Sequence, residues 1–593
     1  LRGWFNIATN DGVEHDTYTR LTGNTDANLF GHWLGDHNIK VGYQVNRLGN
    51  DVKRGSLDDR IYIEWDQTYN MVTKPGQLKG KYGYYWKYFF GVLGKVNSYN
   101  HGLFVQDSWA VHKRLRLSLG LRSETEFIPG YRGPTGEAGT AGTAFEFPWS
   151  QKLSPRVGFA YDVFGNNRSK LYGSFGLYYD LMKYELSRGS FGGDSYWTWY
   201  WTLDTLDIGS IGHGNYPGTF GEVVDWRIPS NAPVQELGGM SLLDPDIRPM
   251  RSRKFDIGWD QMVGQDWTLH FRYARERLDR TIEDVGILGP AGEQYFITNP
   301  GYGLSIRGYG PTCDTKVFGA DCRQFPATPK AERRYDAFEL RAQRRLAKRW
   351  QSTFTYTFAY LEGNYSGLAS TDENGRQDPN VNRYFDLPYL YVDAKGKNID
   401  GPLPTERHHT LKYYGSYSIP IKSHSFSIGG VFTAGSGIPY TRQIQVVSST
   451  PMFVENRASE GRRSEFSLTN IYLQQDFKLS ERTRLLFSFQ LDNLFNQATA
   501  NNYDAYYGLG GASGRLRAGL AGSPLVKNYQ YTQGFDYQAQ IKLQANLNRP
   551  ATCGSFESDP YCPTSPYRLN PLFMKPSSFR GPIGGRLGIR LIF

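Results

Sequence analysis

Segments in which apolar and polar residues alternate recur along this chain, and they come in pairs joined by very short turns. Successive side chains of a β-strand point to opposite faces, so this period of two predicts strands with one apolar and one polar face. Residues 338–342 and 350–360, on either side of a turn at 347–348, show the pattern well. Seven such pairs occur along the chain, and they predict an all-β protein.

The connections between strands are short and long in strict alternation. The long ones span residues 127–152, 183–251, 283–334, 362–405, 437–463 and 498–582. Strands with one apolar face also occur in soluble antiparallel sheets. Short periplasmic turns opposite long extracellular loops, however, are typical of membrane barrels. The sequence therefore predicts an antiparallel transmembrane β-barrel with long extracellular loops and short periplasmic turns.

In such a barrel the two faces of a strand meet different surroundings, lipid outside and a polar lumen inside. We expect the lipid side to carry Trp350, Phe354, Tyr356 and Phe358. We expect the lumen side to carry Gln351, Thr353, Thr355 and Thr357. A slip of one residue would invert both sets, so the assignment holds or fails as a whole.

The final residues, 583–593, alternate in the same way. One face of this strand carries Leu587, Ile589, Leu591 and Phe593. A final Phe behind alternating apolar residues resembles the closing strand of bacterial outer-membrane barrels, where it is also the assembly signal. An edge strand of a soluble sandwich is the alternative. With one more strand in residues 1–9, the total is about 16 strands. Residues 50–102 are ambiguous, and 62–65 with 84–90 fit a hairpin rising above the membrane.

Composition narrows the class of protein. Hydrophobic residues make up 39% of the 593 residues, and no uncharged apolar run approaches the roughly 18 residues of a transmembrane helix. Aromatic residues make up 15% of the chain, a far larger share than in a disordered chain. The formal net charge of +10 invites a nucleic-acid partner, but the basic residues are interleaved with acids and form no concentrated patch. We therefore expect no nucleic acid as a partner.

The four cysteines form two local pairs in Gly- and Pro-rich segments, Cys313 with Cys322 and Cys553 with Cys562. Neither pair has the spacing of a metal site. Two disulfides on the extracellular side are the prediction, which implies an oxidising compartment. Four unrelated free thiols are the alternative.

Several strings of this sequence resemble TonB-dependent outer-membrane receptors, in particular their Oar-like branch. The strings are LFVQDSWAVHKRLRLSLGLRSE (103–124), LSPRVGFAYDVFGNNRSKLYGSFGLYYD (153–180), FTYTFAYLEGNYSGL (354–368), LPTERHHTLK (403–412), GSGIPYT (435–441) and LDNLFN (491–496). They occur in the family's order and extend over nearly the whole chain.

That family has a 22-strand barrel closed by an N-terminal plug, with a segment ahead of the plug that contacts TonB. The resemblance implies that residues 1–593 are the C-terminal barrel portion, without the first strands, the plug and the TonB-contacting segment. It implies energised import of a scarce, unidentified solute across the bacterial outer membrane. The implied partners are outer-membrane lipid, lipopolysaccharide and the TonB complex.

Two other functions fit the same strands. A surface scaffold or adhesion protein would bind ligands with its long loops and import nothing, and a passive porin would lack a plug. We expect no enzyme, because no nucleophile and base stand in a supporting context. The glycines at 508–514 lack the flanking strand and helix of a dinucleotide loop. The adjacent His408 and His409 face opposite sides of a strand and cannot share a metal.

Two loop segments are candidate ligand sites. The aromatic cluster in the loop 183–251 could stack on sugars or other hydrophobic ligands, or form an interfacial belt or a self-packed loop core; it consists of Tyr196, Trp197, Trp199, Tyr200 and Trp201. The oxygen-rich run in the loop 362–405 offers ligands that calcium prefers, although its spacing departs from known calcium loops and a solvated loop is the alternative; it consists of Asp372, Asp378, Asn380, Asn382 and Asp386. No other cofactor is expected.

The strand 484–497 runs outward if the turn at 480–483 is periplasmic, and the final strand then runs inward. Between them the chain crosses the membrane an even number of times. Residues 533–547 nevertheless read locally as one more amphipathic strand. An unclosed sheet edge in lipid leaves backbone groups unsatisfied. We therefore expect 498–582 to make one extracellular excursion, with 533–547 folded over or against the barrel mouth.

Overall fold

The structure is a computed structural model, and its description covers most of the chain. The described residues are 4–5, 11–56, 60–132, 138–225, 241–289, 292–307, 328–366, 383–385, 391–393, 395, 397–446, 451–453, 455–508, 515–516 and 568–593. No helix in these ranges has both the length and the apolar character that a membrane crossing needs.

Strands dominate the described residues. Numbered in chain order they are β1 (Trp4–Phe5), β2 (Asp11–His32), β3 (Asp36–Ser56), β4 (Arg60–Trp65), β5 (Tyr69–Asn70), β6 (Gln77–Leu78), β7 (Gly83–His112), β8 (Leu115–Glu124), β9 (Glu126–Arg132), β10 (Ala138–Phe147), β11 (Ser154–Asp162), β12 (Ser169–Tyr179), β13 (Asp194–Thr202), β14 (Phe220–Asp225), β15 (Ser241–Leu243), β16 (Arg251–Val263), β17 (Trp267–Arg280), β18 (Glu283–Gly289), β19 (Gly292–Thr298), β20 (Arg333–Ala347), β21 (Trp350–Gly363), β22 (Gly401–Pro402), β23 (His409–Ile421), β24 (His424–Gly435), β25 (Gln443–Val446), β26 (Pro451–Phe453), β27 (Phe466–Lys478), β28 (Arg484–Asp492), β29 (Ala500–Tyr503), β30 (Arg515–Leu516), β31 (Pro576–Phe579) and β32 (Gly584–Ile592). The α-helices are α1 (Tyr184–Ser190) and α2 (Leu304–Arg307), and short 3-10 helices cover Trp149–Gln151, Ile208–Ser210 and Arg383–Phe385.

Fifteen of these strands form one continuous wall in which each strand is antiparallel to the next. The order is β2-β3-β7-β8-β11-β12-β16-β17-β20-β21-β23-β24-β27-β28-β32. The seven predicted pairs are all present in this wall. The prediction of an all-β, antiparallel architecture is confirmed.

All short turns lie at one end of the wall and all long connections at the other. The turn between β2 and β3 illustrates how tightly the short end is built. Gly35 there has φ +122°, and a Cβ on it would lie 2.3 Å from the carbonyl oxygen of Ala110. A residue with a side chain would therefore clash with β7 as well as strain its own backbone.

The register aligns the apolar faces of neighbouring strands. Phe354 lies between Ala342 and Tyr413, while Thr355 lies between Arg341 and Lys412. The two predicted sets in residues 350–358 are therefore on opposite faces, as expected. We call the face that carries Phe354 the outer face and the face that carries Thr355 the inner face.

Three strands at one side of the wall are much longer than the others. β2 has 22 residues, β3 has 21 and β7 has 30. A tilted strand crosses a bilayer with about 9–11 residues. The upper halves of these strands therefore project beyond the membrane on the side of the long loops.

The structure of the ambiguous segment 50–102 follows from this projection of β3 and β7. β4 pairs with the first residues of β7, from Arg60 opposite Tyr88 to Trp65 opposite Gly83, so the expected raised hairpin is present. Of the strand expected in residues 1–9, the structure describes Trp4–Phe5. These two residues pair with β4 in the raised part, because the projecting β4 offers them a free edge.

The final strand β32 is antiparallel to β28, with Leu587 opposite Phe489 and Ile589 opposite Phe487. The two strands run in the opposite directions that parity requires. The first and last parts of the connection between them pair with each other, because β29 is antiparallel to β31. Residues 533–547 lie outside the described residues, so their place at the mouth stays a prediction, as does the closing role of the final strand.

The long connections pack into buried cores of their own. One core joins the connections that precede and follow α1, and it contains Ile128, Phe145, Phe147, Met182, Leu186, Phe191, Ile247, Met250, Ile282 and Ile297. Another joins the connections around β21, and it contains Leu278, Val285, Ala331, Tyr365, Tyr384, Phe385, Tyr391, Val392, Ile399 and Phe453. The described loops are therefore folded structures that can hold side chains in fixed positions.

Candidate functional site

A raised sheet stands above the wall and holds the predicted aromatic cluster. It consists of β1, β4, residues 83–92 of β7, β13 and β14, and we call it the upper sheet. β13 is antiparallel to β7, with Trp201 opposite Tyr85 and Tyr200 opposite Trp86. Because β7 continues without a register shift along β3, its even-numbered side chains lie on the inner face in both regions.

The outer face of the upper sheet is covered by the chain that follows β13. Trp201 is 9% exposed and stacks on Tyr85 at 5.4 Å and on Tyr216 at 4.6 Å, measured between ring centroids. The Lys87 ammonium lies 5.4 Å from the Trp199 ring centroid and donates a hydrogen bond to the Tyr216 hydroxyl at 2.9 Å. Trp199 and Trp201 therefore belong to a packed hydrophobic core.

The inner face carries a second set of aromatic residues, which we call the aromatic ladder. Its members are Tyr62, Tyr69, Tyr84, Trp86, Tyr88 and Tyr200. Tyr62 stacks on Trp86 at 4.1 Å, and Tyr69 stacks on Tyr200 at 3.8 Å. Tyr200 is 6% exposed, whereas the other rings are half-buried. Half-buried rings combine an apolar face with a polar edge, which suits flat or amphipathic ligands.

The five predicted aromatic residues are thus divided between the two faces. Trp197, Trp199 and Trp201 lie on the outer face, and Tyr200 lies on the inner face; the side chain of Tyr196 is outside the description. The rest of the ladder was not predicted as a site. The signal was present in residues 84–90 (YYWKYFF), but only the pairing of β4, β7 and β13 brings those rings together.

A buried carboxylate fastens the loop between β5 and β6 to the upper sheet. Glu222 is 3% exposed, and its Oε1 accepts hydrogen bonds from the Tyr69 hydroxyl at 2.7 Å and the Val72 amide at 2.6 Å. Its Oε2 accepts them from the Thr73 amide at 2.9 Å and from the Thr73 hydroxyl. Burial raises the pKa of Glu222, but these hydrogen bonds outweigh it and hold the pKa below its usual value.

This geometry predicts that loop 69–73 loosens in acid. The lowered pKa means that the stabilisation is complete above the unfolded value, about 4.3, and is lost as the pH falls through the folded value. Glu222→Gln should destabilise the loop by about 1–3 kcal/mol and abolish this acid response. Hydrogen exchange of the Val72 and Thr73 amides measures both effects.

The matched control for that experiment is Glu64→Gln. Glu64 lies on β4 in the same sheet and makes none of these hydrogen bonds. Equal exchange rates for Val72 in the two variants, across the whole pH range, would contradict the role of Glu222.

Below the upper sheet, α1 and β9 contact the inner face of the wall. The hydroxyl of Tyr184 on α1 lies 2.6 Å from Ser98 Oγ, and Tyr131 on β9 donates to Asn50 Oδ1 at 2.5 Å. Both contacts are made to inner-face residues of β7 and β3. α1 and β9 therefore fold inside the mouth of the wall and narrow it.

A buried lysine anchors that inward fold. Lys152 is completely buried, and its ammonium lies 2.7 Å from Glu124 Oε1 and 2.9 Å from Glu126 Oε2. Glu126 also accepts a hydrogen bond from the Met182 amide at 2.5 Å, which connects the start of α1 to β9. Burial raises the pKa of Glu126, and the Lys152 charge opposes that rise. This cluster was not predicted, because nothing in the local sequence marks Lys152 as buried.

The remaining predicted site residues of the loops lie outside the described residues. They are the four cysteines, Cys313, Cys322, Cys553 and Cys562, and the calcium candidates Asp372, Asp378, Asn380, Asn382 and Asp386. Their disulfide and calcium assignments stay predictions. Within the described part of the chain, no group of three or more His, Cys, Asp or Glu residues is arranged to hold a metal.

The chain is similar to known proteins over most of its length. The family model described as outer membrane beta barrel domain matches residues 5–470. The TonB-dependent transporter Oar of Myxococcus xanthus is 25% identical over 607 residues, which cover 98% of this chain and 51% of the relative. The chain therefore spans about half the length of this curated relative.

Solved structures with a similar course of the chain include two receptors. The ferric-catecholate import receptor Fiu from E. coli K12 is 11% identical, with 83% of this chain and 52% of that chain covered and a TM-score of 0.40. The siderophore receptor PiuA from Acinetobacter baumannii is 10% identical, with 82% and 53% covered and a TM-score of 0.41.

Proposed function

The chain belongs to the outer membrane beta barrel domain family, and from this premise we propose that it serves as a TonB-dependent transporter of the bacterial outer membrane. The similarity of almost the entire chain to the transporter Oar supports this proposal. The proposal includes the TonB complex, outer-membrane lipid and lipopolysaccharide as partners, and a solute that is imported. It contains no catalytic step.

One structural observation carries the proposal. The wall has an apolar outer face and a polar inner face, and folded loops narrow its mouth from inside, as α1 and β9 do against β3 and β7. A polar interior with internal obstruction suits controlled passage of a captured solute. Aromatic side chains on the inner face of the upper sheet also suit contact with a solute that enters the lumen.

The proposed mechanism has three steps. The solute first contacts the half-buried rings of the aromatic ladder, which lie on the inner face of the upper sheet. It then moves to the inner face, where residues such as Thr355 and Lys412 offer hydrogen bonds and charge. Energy delivered through TonB finally displaces whatever closes the lumen.

The test uses the full-length protein in its native membrane, because the solute is unknown. Cells with and without the protein, and with and without TonB, grow in a complex medium whose solutes are measured by mass spectrometry. Transport predicts a solute that is depleted only when both proteins are present. Depletion that persists without TonB would indicate a passive porin. No depletion in any strain would contradict import altogether.

A second candidate function is a surface-binding scaffold. The observation that favours it is the projection of β2, β3 and β7, which raises the upper sheet well beyond the bilayer. A scaffold would hold its ligand there without importing it. Surface retention of a labelled ligand that never enters the periplasm, in the same cells, would support this function over transport.

A further inference from the structure

Two arginines from distant parts of the chain meet at the extracellular end of the wall, and a third lies three residues before the ring that they share. Arg407 precedes β23, Arg463 precedes β27, and Arg580 precedes β32. The guanidinium carbons of Arg407 and Arg580 lie 4.4 Å and 5.5 Å from the ring centroid of Phe466, the first residue of β27. Phe466 pairs with Gly435 and lies on the inner face, so this arginine cluster borders the lumen mouth.

Aromatic rings and backbone carbonyls hold the cluster in place. Arg463 lies 5.4 Å from the Tyr440 ring centroid and 5.1 Å from that of Tyr503. It donates to the Asn501 carbonyl oxygen at 2.9 Å, and Arg407 donates to the Ser436 carbonyl oxygen. These contacts fix the planes of the guanidinium groups, which is what recognition of a planar or tetrahedral oxyanion requires.

The positive charge of the cluster has no carboxylate partner among the described residues. Two carboxylates close in sequence pair with other arginines, Glu406 with Arg462 at 2.5 Å and Glu460 with Arg442 at 2.5 Å. The Nε of Arg463 is buried and makes no hydrogen bond within the described residues.

Burial and like charge both act on the Arg407 guanidinium. Burial lowers the pKa of Arg407, and the neighbouring Arg580 and Arg463 lower it further. Like charges held together in a half-buried place repel one another, and cation–π contacts offset only part of that repulsion. An anion bound between the guanidinium groups would neutralise part of their charge and would accept hydrogen bonds from their N–H groups.

We propose that Arg407, Arg463 and Arg580 form a binding site for an oxyanion, a carboxylate or phosphate group of the transported solute. This inference rests on the proposed function and adds to it the chemical class of the solute. Phosphate of lipopolysaccharide presents the same chemistry, so the experiment separates the two sources.

The test measures binding by isothermal titration to the purified full-length protein in detergent free of lipopolysaccharide. Inorganic phosphate and citrate are the soluble probes, and vesicles with and without lipopolysaccharide are the lipid probe. The triple variant R407Q/R463Q/R580Q should raise the Kd for at least one soluble probe tenfold or more. The triple variant R407K/R463K/R580K, which keeps the charge but loses the planar fork, should give an intermediate loss.

The matched control is R114Q/R349Q/R482Q, which removes three exposed arginines from the short turns at the opposite end of the wall. It should bind both soluble probes like the wild type. Circular dichroism and the heat-dependent shift in gel mobility establish that each variant is folded. If the triple variant does not fold, the single variant R580Q replaces it.

Equal affinities in wild type and the R407Q/R463Q/R580Q variant, or no binding of either soluble probe by the wild type, would overturn the assignment to a solute. Arginine-dependent binding of lipopolysaccharide vesicles alone would assign the site to lipid phosphate and overturn the solute. The site and the transport function fail separately. Arginine-dependent citrate binding without TonB-dependent depletion in cells would retain the site and reject transport.

Discussion

Leu473→Arg is expected to cost about 2–4 kcal/mol of folding stability in a bilayer, the cost of a basic side chain near mid-depth on the lipid face of a barrel. Leu473 is near the middle of β27, between Ile428 and Phe489 on the outer face. The added guanidinium has no polar neighbour in those positions and meets hydrocarbon. Urea unfolding of the protein in phospholipid vesicles, followed by tryptophan fluorescence, measures the loss.

The adjacent residue provides a matched control. Gln474 lies one position further along the same strand, between Ser427 and Ser488 on the inner face. Gln474→Arg introduces the same group at the same depth, but toward a polar surface, and should change stability by less than about 1 kcal/mol. Equal losses in the two variants would show that the faces of β27 are not assigned correctly.

Lys152→Met is expected to destabilise the protein by about 3–5 kcal/mol, because it leaves two carboxylates close together without their cation. Lys152 is completely buried between Glu124 and Glu126. The loss should appear in thermal unfolding, and first in protease cleavage near β9 and α1, whose inward fold depends on this cluster.

The same variant should show a defined dependence on pH. Burial already raises the pKa of Glu126, and removal of the Lys152 charge raises it further. The folded variant then binds a proton that the unfolded chain has released, so its stability falls as the pH rises above the unfolded value of about 4.3. The defect should be larger at pH 8 than at pH 5.

Two comparison variants test this explanation. Lys183→Met removes an exposed lysine close in sequence and should have little effect. The triple variant K152M/E124Q/E126Q removes the repulsion as well and should recover much of the stability. A K152M defect that is unchanged by these two carboxyl substitutions would contradict the charge argument.

The sequence by itself determined the strands and their faces. Alternation is a local property, because adjacent side chains of a strand must point to opposite sides. Residues 350–358 therefore revealed their two faces without any tertiary information. The strict order of short and long connections likewise determined that neighbouring strands pair in antiparallel hairpins, with all short turns at one end.

Tertiary structure decided where the candidate site residues meet. The aromatic run at 196–201 was visible in the sequence, but whether each ring faces inward depends on the pairing of β13 with β7, about 110 residues away. Lys152 becomes buried only when the loop that carries it folds against Glu124 and Glu126. Arg407 and Arg580 are far apart in the chain and meet over the Phe466 ring, because the wall brings the upper ends of β23, β27 and β32 together. Such contacts depend on sheet register and loop packing, which no local pattern specifies.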